Sequence, residues 1–299
     1  MTGKVIAVAN MKGGVGKTSV VVGLAEALAA GGSEVLVIDL DPQASASICI
    51  AGDDILKVLI EGGQTIEAFL EDYLLKDRKV RFDDCIRECA SDVSHRGEQL
   101  PISLLASSPA LRMFEQRLVY RGTKQRHSLE EIVIRLWDLM RDQLKKTKRS
   151  YDYILLDCPP GISSLTDVSI RLADLVIVPT IPDFLSTYGL QAFCRSIWDG
   201  ELARQSPLKK PKRLPHVLIT RRRAVNEQNR TVARMRNELD SDDPAFSLFQ
   251  VEIPEAIAIA TALGKTGTFP AFNNKWQQAA PILEVLAEET KEALDGSRA

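Results

Sequence analysis

Lys12-Gly13-Gly14-Val15-Gly16-Lys17-Thr18-Ser19 combines small residues, lysines and a hydroxyl in the order that phosphate chemistry asks for. Glycines let consecutive backbone N–H groups converge on phosphate oxygens, and the start of a helix adds positive potential. Lys17 supplies a full charge and Thr18 a hydroxyl ligand for Mg²⁺. The apolar run Val5 to Ala9 stands before this stretch and an alanine-rich helical pattern follows it, the strand, loop and helix context that such a motif requires. Gly13, Gly14, Val15, Gly16, Lys17, Thr18 and Ser19 are therefore expected to cradle a nucleoside triphosphate.

Two later apolar runs end in acids. Val35 to Leu40 leads into Asp39-Leu40-Asp41-Pro42-Gln43, which places two carboxylates at the carboxyl edge of a strand, where parallel-sheet ligands bind. Strand alternation puts Asp39 and Asp41 on one side. Tyr153 to Asp157 is a second apolar strand with a terminal acid, followed by Cys158-Pro159-Pro160-Gly161. Phosphoryl transfer needs a group that orients the attacking water while metal and lysines offset phosphate charge. Asp41 suits that task, and it equally suits a turn cap, since Asp-Pro initiates turns. Mg²⁺ takes oxygen ligands and keeps several waters, so Thr18, with Asp39 and Asp157 farther out, makes a consistent set.

The strict phosphate-loop pattern wants glycine five residues before Gly16, but Met11 stands there, followed by the second lysine, Lys12. This departure resembles the deviant Walker A motif of the ParA/MinD group of P-loop ATPases. The resemblance implies an ATP-dependent sandwich homodimer in which Lys12 reaches phosphates bound by the partner subunit. Asp39 to Gln43 resembles the family's next block, which gives Asp41 the hydrolytic role and Asp39 a place in the Mg²⁺ shell; Gln43 and Ser45 resemble its first switch. Asp157 to Pro160 resembles the Asp-x-Pro-Pro second switch, with Asp157 reaching Mg²⁺ through water. Leu175 to Thr187 resembles the family's strand and partner-helix start, and Ile253-Pro254 its late turn near the base. Thr220, Arg221 and Pro254 are expected along the adenine. Lys12, Lys17 and Asp41 then form the catalytic set, with ATP and Mg²⁺ as cofactors. The likeness runs from about Val5 to about Leu294.

The elements that must hold these residues follow from periodicity. Strands are expected at Val5 to Ala9, Val35 to Leu40, Tyr153 to Asp157, Leu175 to Pro179, Val217 to Thr220 and Phe249 to Ile253. Helices are expected at Thr18 to Ala30, Ala110 to Val119, Ser128 to Lys146, Ser186 to Arg204, Asn226 to Leu239 and Lys275 to Leu294. Ser128 with Glu131 fits a capping box, and Ile132, Leu136, Leu139 and Leu144 form a core-facing stripe. Alternation of strands and helices predicts an α/β fold of the P-loop NTPase type. Its sheet is doubly wound, twisted and mostly parallel, with helices on both faces. The chain reads as a single ATPase domain over 1–299, with a poorly readable, mainly helical segment at about 51–123.

At 299 residues, 45% hydrophobic and 26% charged, the composition is that of an ordinary globular protein. No apolar run approaches the roughly 20 residues that span a bilayer, and only Met1 to Lys4 precede the first strand. A cytoplasmic location without a leader, and no N-terminal helix-turn-helix, are the expectations. The five cysteines show no paired framework, which suits reduced thiols; Cys85 and Cys89 could share one helical face.

Net charge is −2, yet Arg204 to Arg236 holds eleven basic residues, among them Lys209, Lys210, Lys212, Arg221, Arg222, Arg223 and Arg230, against one acid, Glu227. Such asymmetry suggests a surface that faces a polyanion. ParA-type proteins bind DNA nonspecifically as ATP dimers and are released by an activating partner of the ParB kind. The resemblance thus implies partitioning of a plasmid or chromosome, with nucleoid association in the ATP state and Arg221, Arg222, Arg223 and Arg230 on the DNA. The family's arginines after the Ile-Pro pair are replaced here by Glu255-Ala256-Ile257-Ala258. Either the arginine cluster compensates, or the ATPase positions a cargo other than DNA. A MinD-like membrane ATPase would need a basic amphipathic last helix, whereas this one carries Glu284, Glu288, Glu289, Glu292 and Asp295, so no membrane partner is expected. An iron–sulfur reductase of the same superfamily would need a cysteine arrangement that this chain lacks.

Overall fold

The structure is a computed structural model that describes residues 3–264 and 270–296. The chain begins with β1 (Lys4–Val8), α1 (Lys17–Ala30), β2 (Val35–Asp39), α2 (Ser45–Glu61) and α3 (Ile66–Leu74). A hairpin of β3 (Ser94–His95) and β4 (Glu98–Gln99) leads to β5 (Ile102–Leu105), α4 (Leu111–Lys124) and α5 (Leu129–Thr147). Then come β6 (Tyr153–Asp157), α6 (Ser164–Leu172), β7 (Leu175–Thr180), α7 (Phe184–Trp198), α8 (Glu201–Gln205) and β8 (His216–Ile219). The remaining elements are α9 (Asn226–Leu239), β9 (Ser247–Leu248), α10 (Ile257–Leu263), α11 (Phe272–Trp276) and α12 (Ala280–Asp295).

Seven strands form one parallel sheet in the order β5-β2-β6-β1-β7-β8-β9. Successive side chains of a strand face opposite sides. Val5, Ala7, Ile154 and Leu156 accordingly bury into the core under α3 to α7, while Ile6, Val8, Val35 and Leu155 bury into the core under α1, α2 and α12. Both faces are covered, which is why the strands read as continuous apolar runs. The register pairs Val8 and Asp39 each with Asp157. The loop after β1 and the acids closing β2 and β6 therefore emerge side by side at one edge.

The expected helix Asn226 to Leu239 is found at those limits, and the capping box is made on both sides, Glu131 N to Ser128 Oγ and Ser128 N to Glu131 Oε2. Three expectations are corrected. The strand expected over Phe249 to Ile253 lies earlier, at Ser247–Leu248, because the N–H groups of Gln250 and Val251 donate to the Glu289 carboxylate instead of to β8. The helix expected over Ser186 to Arg204 breaks after Trp198, where Asp199 and Gly200 both turn back onto the Arg195 carbonyl. The helix expected from Lys275 is interrupted at Gln277, which sits at φ +50°, and α12 restarts with Pro281 in its first turn, where a missing N–H costs nothing.

The segment 51–123 is helical at both ends, with strands between. It contains the hairpin and the fully buried sheet strand β5, besides parts of α2 and α4 and the whole of α3. A four-residue strand carries too little periodicity to be read among mixed charges. Cys85 and Cys89 do not share a helix face: Cys85 closes a single 3₁₀ turn and is buried, while Cys89 is an exposed residue at φ +49°.

Candidate nucleotide site

The loop between β1 and α1 is built by its glycines. Gly14 at φ +75° and Gly16 at φ +91° occupy backbone conformations that side chains disfavour, and a Cβ on Gly14 would point into open space. α1 starts from Gly16 with no side-chain cap, so its first N–H groups face that space unpaired by any local side chain. Uncapped N–H groups at a helix start form an anion seat. Lys17 is only 7% exposed, and its Nζ donates to the Lys12 carbonyl at 3.1 Å. Burial lowers its pKa, and Asp157 and Asp41 oppose that shift.

Thr18 Oγ1 donates to Asp157 Oδ2 at 2.9 Å, which puts the hydroxyl and the terminal acid of β6 in one place. The other carboxylate oxygen, Asp157 Oδ1, is buried and has no hydrogen-bond partner. Burial, reinforced by Asp39, raises the Asp157 pKa well above its ordinary value. A buried acid with an orphaned oxygen beside a hydroxyl is a donor set that a hard cation would relieve, and it fits Mg²⁺. Asp39 is fully buried, and burial pushes its pKa up from 3.8 to about 6. Its two oxygens accept from Asp41 N, Ser47 N and Ser47 Oγ at 3.0, 2.9 and 2.7 Å. Asp39 thus shapes the turn that carries Asp41.

Asp41 lies just past the strand. Its Oδ1 accepts from Gln43 N at 2.9 Å and its carbonyl from Ala44 N, so the turn-cap role is realised. It is half-buried and close enough to Lys17 and Asp157 to affect both electrostatically. Lys12, in contrast with Lys17, is exposed. Its Nζ donates to Ser186 Oγ at 2.8 Å and lies 4.0 Å from Asp183 Oδ1, at the N-terminus of α7. Sequence reading missed this contact, although Asp183 with Ser186 three residues on is a legible helix cap.

A cavity of about 540 Å³ opens beside Gly14 and Gly16 and is lined by Thr220, Arg221, Pro254 and, unforeseen, Glu255 and Trp276. Thr220 Oγ1 donates to the Val15 carbonyl at 2.8 Å, which ties the end of β8 to the phosphate loop. Thr220, Arg221 and Pro254, the residues expected along the adenine, therefore line one cavity next to the phosphate loop.

The arginine cluster behaves differently from a free basic surface. Arg221 and Arg223 are both paired with Glu255, and Arg222 and Arg236 with Glu252. Arg230, on α9, is exposed. Elsewhere, Leu283 and Leu286 of α12 are buried in the core that α1 shares, and no helix among the described residues is long and apolar enough to cross a membrane. Cys158 is fully buried, which raises its thiol pKa, and no cluster of three or more His, Cys, Asp or Glu residues among those described could hold a metal.

A central phosphate loop in a parallel sheet, with a second strand delivering an acid to its threonine, defines a P-loop nucleotide hydrolase. A family model for an AAA domain (AAA_31) matches residues 3–209. The chromosome partitioning protein ParA of Myxococcus xanthus is 28% identical over 197 residues, which cover 65% of this chain but only 58% of that protein. An uncharacterized protein of Pseudomonas putida is 30% identical over 260 residues, 87% of this chain and 84% of its own length. Among solved structures, cobyrinic acid a,c-diamide synthase from Mycobacterium smegmatis with an ATP analog and magnesium superposes with TM-score 0.67 at 22% identity, covering 99% and 97% of the two chains. The pNOB8 ParA bound to nonspecific DNA gives 0.61 at 20% identity, covering 98% of each. The chain belongs to this AAA-domain family, as a P-loop ATPase of the ParA type. ATP with Mg²⁺ is the ligand pair of such a site, at which Thr18, Lys17 and Asp157 lie together.

Proposed function

We propose that the protein is a partition ATPase: two copies close face to face over ATP, the closed dimer binds DNA without sequence preference, and hydrolysis stimulated by a ParB-like partner releases it. The observation that carries this reading is the division of labour between the lysines. Lys17 is buried within its own loop, whereas Lys12 is held on the rim by Ser186 and Asp183 and remains available to a facing subunit. Mg²⁺, when bound, would offset phosphate charge; Thr18 and Asp157 would hold it, directly or through water, with Asp39 behind them. Lys17 holds its own phosphates, Lys12 crosses to the partner's, and Asp41 orients the attacking water while its turn stays fixed by Asp39. Thr220, Arg221 and Pro254 flank the adenine. The ParA proteins among the relatives and structural neighbours support DNA as the track.

The test uses the Asp41→Ala protein, which should bind ATP without turning it over. Its binding to a nonspecific duplex is measured with ATP, ADP and no nucleotide. Tight binding confined to ATP is expected. Equal or absent binding in all three states would remove DNA as the track and turn the search to a protein cargo, the reading that the Glu255 pairing with Arg221 and Arg223 favours.

A further inference from the structure

The basic run that sequence treats as one surface is divided by the fold. In its second half Arg221 and Arg223 share Glu255 and Arg222 and Arg236 share Glu252, so each of these four arginines is held by a carboxylate and their charge is halved. Arg221 also walls the nucleotide cavity and donates to the Gly14 carbonyl, so a polyanion drawn there would crowd the ATP phosphates. Its first half goes elsewhere. Lys209, Lys210 and Lys212 line a separate cavity of about 310 Å³ together with Arg141, Lys145 and Lys148, and with Arg171, which is paired with Asp167. The lining contains no acid.

The charges around this cavity do not balance. Arg141 pairs with Asp138 and Asp142, while Lys148 and Lys212 share the single carboxylate of Asp174. Lys210 has only Asp199, at 3.7 Å, and Lys145 and Lys209 make no ion pair among the described residues. Arg141, Lys145 and Lys148 recur at spacings of four and three along α5 and its end, so they share one face. The floor is apolar, with Trp137 and Leu144, and long lysine stems can lie on such a surface while their ammonium groups reach outward. Val5 also lines the cavity, which places it at the amino edge of the sheet. One strand length, roughly 15 Å, separates it from the phosphate loop, so its ligand does not compete with ATP.

We infer that this cavity, and not the Arg221 to Arg223 cluster, receives the sugar–phosphate backbone of DNA. The inference rests on the DNA-track reading above and gives that reading its surface. An acid-free lining whose two groups of cations are bridged only at Asp174, with Lys145 and Lys209 left unpaired, suits a continuous phosphodiester strand, and contacts of this kind carry affinity without reading sequence. Closure of two subunits doubles the number of such grooves. Binding therefore strengthens in the ATP state without any movement of the groove itself.

The test is the triple substitution Lys145→Gln, Lys209→Gln and Lys210→Gln in the full chain, assayed with a labelled random-sequence duplex in ATP and Mg²⁺ across a salt series. Each lost phosphate contact lowers the slope of log affinity against log salt by about 0.9, so a fall of roughly 2 to 3 per protomer is expected. ATP turnover without DNA and the melting temperature should stay at wild-type values, since these lysines are exposed and far from the nucleotide. If the triple variant fails to fold, Lys145→Gln and Lys209→Gln singly should each remove about one contact. Arg223→Gln with Arg236→Gln should leave the slope unchanged. A wild type that binds in ATP and a triple variant with the same slope would overturn the groove and leave the DNA-track reading standing. A wild type that binds no duplex in any nucleotide state would overturn both.

Discussion

Lys12 and Lys17 sit five residues apart in one motif, yet the fold gives them opposite surroundings. Lys17 is enclosed by the loop it serves, and Lys12 rests on the α7 cap with 45% of its side chain exposed. Replacing Lys12 by Gln should therefore leave ATP affinity nearly intact and lower turnover by about 10³-fold, the scale of a positive charge supplied to phosphoryl transfer across an interface. Parallel measurements of nucleotide affinity and steady-state hydrolysis check it, and unchanged turnover would end the assignment. Asp39 offers a second test. Its pKa rises on folding, from 3.8 to about 6, chiefly through burial. The folded chain then binds this proton more tightly than the unfolded one. The associated stability is fully present below about pH 4 and is lost as pH rises through about 6. Without Mg²⁺ or nucleotide, wild-type melting should fall relative to Asp39→Asn between those limits. A pH-independent difference would mean that Asp39 is not strained by its charge.

At the scale of elements, the last helices are anchored through a buried ion pair. Glu26 of α1 accepts from Lys275 Nζ at 2.6 Å and from Trp276 Nε1 at 2.6 Å, and all three side chains are nearly inaccessible. Burial raises the Glu26 pKa, while Lys275 opposes the shift. Lys275→Met would strand the carboxylate in the core, and removing one member of a buried pair costs about 3–5 kcal/mol. Chemical denaturation should show a loss of that size, with much of it recovered in the Glu26→Gln, Lys275→Met double variant. Equal losses in single and double variants would show that packing alone is responsible. The position matters for the site, since Trp276 also lines the cavity beside the phosphate loop.

For the whole molecule, the phosphate loop and its cavity lie at one sheet edge and a cavity lined by cations lies at the opposite edge. A dimer closed over ATP would bury the first edge and leave the second outward. Binding to the native state alone raises stability by mass action, and dimerisation makes that gain depend on protein concentration. The Asp41→Ala protein in ATP and Mg²⁺ should therefore melt at a temperature that climbs with concentration, while in ADP it should not. A concentration-independent melt in ATP would count against the sandwich.

The phosphate loop, the acids at the ends of β2 and β6 and the parallel alternation were legible because each is local. A glycine-rich turn, a strand ending in aspartate and a 3.6-residue stripe are written over a few neighbouring residues. Strand β5, the early end of β9 and the break after Trp198 were not legible. The break is a local turn of Asp199 and Gly200 onto the Arg195 carbonyl, whereas the two strands depend on distant partners, as when Glu289 takes the N–H groups of Gln250 and Val251. The same holds for charge. Sequence alone displays eleven basic residues between Arg204 and Arg236, but ion pairing is a matter of distance in space. Only the tertiary structure sets Glu252 and Glu255 against the arginines while gathering Lys209 to Lys212 with Arg141, Lys145 and Lys148 across a groove.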